Sequence, residues 1–127
     1  MAPPDYDAII KKTILEFIEE LKTYILTLPN EQFELAIVNA FFEAMDAASI
    51  ADHCEANILP HREEIFSKNI KFFLNNKHLF EGLPQKSVDH YAEKLSDPEA
   101  LTADDKMYIF KYLQKIVETL DKKKKLQ

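Results

Sequence analysis

The chain has 127 residues and 14.8 kDa, enough for one domain. Its single glycine excludes glycine-rich phosphate loops and argues against tight β-hairpins, and its single cysteine rules out an intrachain disulfide. The net charge of −6 is uneven: residues 1–60 carry 3 basic and 11 acidic side chains, residues 61–127 carry 13 and 11, and the −8 half repels phosphate.

No apolar run reaches the ~18 residues that a membrane span needs. The N-terminal "MAPPDYDAII" has no basic segment followed by an apolar stretch, so no secretory signal is read there. The expectation is an intracellular, non-secreted protein. Leu, Ile, Phe, Ala, Glu and Lys dominate, which is a helix-forming palette.

The first helix is predicted from near Asp5 to Leu28. Ile10, Ile14, Phe17, Leu21, Tyr24 and Leu28 recur at alternating spacings of 4 and 3, a seam with a 3.5-residue period. Pro29 ends it. Asn30 suits an N-cap for a second helix beginning near Phe33 and running toward Asn57, with a break allowed near Asp46. Leu35, Val38, Phe42 and Met45 form one apolar row; Phe33, Ile37, Ala40, Phe41 and Ala44 form another. A helix apolar on nearly every side is expected to be the central, buried one.

Pro60 suits the first turn of a third helix, with Phe66, Ile70 and Phe73 as its stripe and Ile65, Phe72 and Leu74 beside it. Gly82 and Pro84 mark a loop after "NNKHLFEGLP". A shorter helix is predicted from about Pro84 to Leu95, burying Val88, Tyr91 and Leu95. The last helix opens at Thr102, with Asp105 completing a capping box, and buries Met107, Phe110, Leu113, Val117 and Leu120. It closes on Lys122, Lys123, Lys124 and Lys125, where cations complement the negative end of a helix.

The densest group of reactive side chains is "DHCEANILPHREE". Adjacent His53 and Cys54 diverge by about 100° on a helix and are poorly placed to share an ion. Cys54 therefore reads as a small buried hydrophobe, and no metal, cofactor or catalytic residue is assigned. "SKNIKFFLNNKH" interleaves Lys68 and Lys71 with Phe72 and Phe73, a pattern that can stack single-stranded bases, although the phenylalanines also fit the helix's own apolar rows.

"IADHCEANILPHREEIFSKN", "LFEGLP" and "DDKMYIFKYLQKIVETL" together resemble small helical proteins of nucleocytoplasmic large DNA viruses. The matching positions are His53, Cys54, Pro60, Arg62, Leu79, Phe80, Leu83, Pro84 and Ile109 to Gln114, across roughly residues 8–121. The resemblance implies a virion or an infected cell and carries no enzyme activity with it.

The expectation is an all-α, compact bundle of four to five helices in one domain, with the second helix central and buried. Residues 1–4 are read as a flexible start and 122–127 as a lysine-rich tail. The expected function is non-enzymatic: a protein–protein interaction or structural protein that binds a partner or itself, with no small-molecule substrate and no membrane. The alternative is a nucleic-acid accessory protein using Lys68, Lys71 and Lys122 to Lys125.

Overall fold

A computed structural model describes residues 5–69, 72, 84–97 and 99–126. The protein is all-α. Its helices are α1 (Tyr6–Glu20), α2 (Pro29–Ala44), α3 (Ala47–Asn57), α4 (Arg62–Phe66), α5 (Gln85–Leu95) and α6 (Ala103–Lys125). A π-helical turn, Leu21–Ile25, follows α1, and a short 3₁₀ turn, Leu59–His61, precedes α4. Among the described residues no helix is long and apolar enough to cross a membrane. Residues 1–4, Ile70, Phe73, Leu74 and Gly82 of the expected pattern lie outside the described residues, as does the later part of the expected third helix, of which α4 is the described beginning.

The centre of the molecule is the antiparallel pair α1 and α6. Phe17 meets Tyr112 edge-on, with ring centroids 5.7 Å apart, and Asp7 meets Lys123 nearer the other end. Ile10, Ile14, Phe17 and Ile18 pack with Ile109, Leu113, Ile116 and Leu120 in one buried cluster. Ile50, Ala51 and Cys54 of α3 join the same cluster, as do Leu35, Val38 and Phe42 of α2. Burial of this much aliphatic and aromatic surface is what drives short helices, marginal in isolation, to fold.

The local signals explain where the helices start. Asp5 accepts a hydrogen bond from the Ala8 amide at 3.1 Å, and Asp46 accepts one from the Ser49 amide at 3.2 Å. Asp46 thereby opens α3 and divides the apolar segment into two helices. Thr102 and Asp105 form the expected reciprocal capping box, at 3.0 and 3.2 Å. The four terminal lysines belong to α6 itself, so they form a helix end rather than a separate tail.

Four expectations are corrected. The α1 seam holds through Ile10, Ile14, Phe17 and Leu21, but Tyr24 and Leu28 are exposed. The reason is the π-helical turn, in which the Leu26 amide reaches back five residues to the Leu21 carbonyl. Such a turn carries an extra residue, rotates the following side chains and buries Leu26 in place of Tyr24. In α4 the inward residue is Ile65, while Phe66 points out. In α6 the buried rows begin at Ile109, and Met107 is exposed.

The fourth correction is the largest. The segment expected as the second helix divides at Asp46, and its first half is not central: α1 and α6 hold that place. Only Glu31, Leu35, Val38 and Phe42 of α2 are buried, while Ile50, Ala51 and Cys54 of the second half, α3, are in the core. Leu35, Val38 and Phe42 recur at helical spacing and face α1 and α6 across a small apolar cavity of about 30 Å³. The other apolar row of α2 is left on the outside.

Candidate functional site

Three surfaces carry the residues singled out in the sequence. The first is the basic end of α6. Lys123 pairs with Asp7 at 2.7 Å and Lys124 with Glu55 at 3.0 Å. Asp121, one turn earlier, takes a forked contact from both terminal nitrogens of Arg62. Those bonds hold the Asp121 carboxyl below its ordinary range, and the bond to Asp7 raises the Lys123 ammonium above its own. Basic side chains of the second half thus meet acids of the first half, tying α6 to α1 and α3.

Lys68 stands apart from that end, directly after α4, in the left-handed region at φ 58°. The Asn69 amide donates to the Glu64 carbonyl at 2.8 Å and the Lys68 amide to the Ile65 carbonyl at 3.2 Å. This is a Schellman stop with lysine where glycine is usual. Lys71 lies outside the described residues. The terminal lysines and Lys68 are therefore placed by different helix ends, and the structure does not show them as one face.

The second surface is the "HC" pair. Cys54 is fully buried, and burial pushes its thiol up to about 12. A thiol held so far above neutrality is a poor nucleophile. His53 turns the other way, its ring 6.4 Å from that of Phe42, with Asn57 close to its Nδ1 at 3.3 Å. Cys54 packs into the core; His53 lies against α2. Among the described residues no group of three His, Cys, Asp or Glu side chains is placed to hold a metal ion.

The third surface is α2, which has one charged anchor and one bare face. Glu31 has no solvent exposure, yet it accepts hydrogen bonds from Lys94 at 2.9 and 3.0 Å, from His90 at 3.0 Å and from the Leu28 amide at 3.1 Å. Burial alone would raise its carboxyl; the Lys94, His90 and Leu28 bonds outweigh that and leave it below 4.5. Beside it the buried Tyr91 hydroxyl donates to Glu34 at 3.1 Å. At the opposite end of α2, Lys11 donates to the carbonyls of Glu43 and Met45, both at 2.8 Å. The helix is therefore fixed at both ends, to α5 and to α1.

Sequence reasoning did not single out Glu31. The available signal was "LPNE": proline in the first helical turn and glutamate three residues after Leu28, half of a capping box. That its other bonds come from α5, 59 and 63 residues along the chain, is not written in any local pattern.

Between its two fixed ends α2 turns Phe33, Ile37 and Phe41 outward, exposed by 70%, 45% and 42%. Ala36, Ala40 and Ala44 are exposed in a parallel row. Large apolar side chains at four-residue spacing on one helix make a contiguous patch rather than scattered surface residues. Compared with protein-family models, with characterised proteins and with solved structures, the chain finds no match.

Proposed function

We propose that this is a non-enzymatic interaction protein that associates through the outer face of α2, with a second copy of the same chain as its occupant. The observation that carries the reading is the exposed row Phe33, Ile37 and Phe41 on a helix anchored at both ends. The face is self-complementary in relief. The large residues make one ridge at i, i+4 and i+8, and Ala36, Ala40 and Ala44 make a low ridge beside it. Crossing two copies about a two-fold axis lays each large ridge over the other's alanine row, the 4-4 packing common between helices.

One crossing of this kind covers less than the roughly 800 Å² per partner of a standard interface, so the dimer is a weak one, in the micromolar range. The resemblance to small helical proteins of large DNA viruses suggests a setting, a virion or an infected cell. The inert Cys54 thiol and the separation of His53 from it support a role without catalysis.

Sedimentation equilibrium of the full chain tests the reading. Association that strengthens with salt fits two like-charged copies joined by apolar surface, because screening removes the repulsion between them. Ile37→Glu is expected to give a monomer of unchanged helicity. A wild-type chain that remains monomeric at several hundred micromolar contradicts the proposal.

A further inference from the structure

A second feature lies where α1 ends and α6 begins. Two adjoining hollows meet there and share Glu20 and Tyr24. One is completed by Glu16, Glu19 and Tyr112, the other by Asp105 and Tyr108. Among the described residues, four carboxylates and three phenol rings line the pair, and no lysine or arginine does. The π-helical turn builds this arrangement: by taking Tyr24 out of the core seam it leaves the ring 69% exposed, on the same groove as Tyr108 at 51%.

The carboxylates engage only short-range partners of their own helices and of Tyr112. Glu20 accepts from the Tyr112 hydroxyl at 3.4 Å, Glu19 from Thr23 at 3.5 Å and Asp105 from the Thr102 amide at 3.2 Å. Glu16 lies 3.9 Å from Lys12. Burial, then the fields of Glu20 and Glu16, push the Tyr112 phenol above its usual range. Aromatic faces beside carboxylates, of which Glu16 pairs with one lysine, suit a cation: the rings attract it through their quadrupoles and the carboxylates through charge and hydrogen bonds.

We infer that the groove formed by Tyr24, Tyr108 and Tyr112 with Glu16, Glu20 and Asp105 binds arginine or lysine side chains from a basic segment of a protein partner. Arginine is the better occupant, because its planar fork meets a carboxylate bidentately while its face stacks on a ring. The inference stands apart from dimerisation through α2: one site is selected by charge, the other by apolar relief.

The test is titration of the full chain with a capped tetra-arginine peptide, with tetra-glutamate as control. The chain has five tyrosines and no tryptophan, so tyrosine emission and ring NMR signals report on the groove. The expected result is saturable binding that weakens with salt, with shifts at Tyr24, Tyr108 and Tyr112. Tyr24→Ala/Tyr108→Ala leaves the net charge unaltered and removes only exposed rings, so the fold persists; it weakens binding about fivefold or more. Tyr24→Phe/Tyr108→Phe restores binding, and Glu16→Gln/Glu20→Gln weakens it as well. Ile37→Glu, which tests the α2 face, leaves it unaltered. Equal binding by the Tyr→Ala pair, loss of binding in Ile37→Glu, shifts confined to the acids of α3, or no saturable change each overturn the assignment.

Discussion

Lys94 of α5 donates to both carboxylate oxygens of Glu31, at 2.9 and 3.0 Å, although that carboxylate has no access to solvent. A buried charge of this kind contributes to stability only while its partners remain, and losing one leaves the other's desolvation unopposed. Lys94→Met is therefore expected to cost about 3 kcal/mol at pH 7, read by urea unfolding. Glu31→Gln/Lys94→Met recovers much of that loss. Because the Glu31 carboxyl is held below the ordinary glutamate range in the folded protein, its contribution is fully present above that range. It fades as pH falls through the lowered folded value, so the penalty of Lys94→Met is smaller in acid than at pH 7. An equal penalty in acid and at pH 7 contradicts the account.

At Lys68 the left-handed backbone gives a prediction of opposite sign. A β-carbon at positive φ costs roughly 1 kcal/mol, which glycine avoids. Lys68→Gly is expected to stabilise the protein by about 1 kcal/mol and Lys68→Ala to give no comparable gain. Matched chemical denaturation curves decide it. A gain in both variants would point to charge rather than backbone.

Cys54 should be silent until the chain opens. With the thiol pushed up to about 12 by burial, its reaction with an aromatic disulfide reagent at pH 8 follows the unfolding equilibrium. Cys54→Ser buries a hydroxyl in an apolar site and is expected to cost about 1–3 kcal/mol. Fast labelling of the native protein contradicts the packing described for α3.

Much of this architecture is legible in the sequence because local chemistry writes it. Thr102 with Asp105, Pro29 and the Val88–Tyr91–Leu95 row each act within a turn or two of themselves. The misreadings arise where the decisive partner is distant or where one residue changes the phase. A 3.5-residue seam extrapolated through Leu21–Ile25 puts Tyr24 inside, and the π-helical turn puts it outside. The two-sided apolarity of α2 reads as burial in the sequence, since pattern alone does not tell a central helix from one that offers a face. The groove at Tyr24 and Tyr108 follows from both the extra residue and the antiparallel pairing of α1 with α6, neither of which a local motif encodes.

The basic end of α6 is expected to contribute to stability in a salt-dependent way. Lys123→Gln removes a partly exposed pair with Asp7, a loss of about 0.5 kcal/mol at low ionic strength that vanishes near 1 M salt. Thermal unfolding at the two salt concentrations checks this. A loss that persists at high salt would mean that the lysine stem, not its charge, is what matters.

Sedimentation equilibrium on the wild type and Ile37→Glu tests the central claim, that the outer face of α2 is what this protein presents to a second copy of itself. The account predicts a reversible, salt-strengthened dimer for the wild type and a folded monomer for the variant. Two species that sediment alike, whether both monomeric or both dimeric, contradict it.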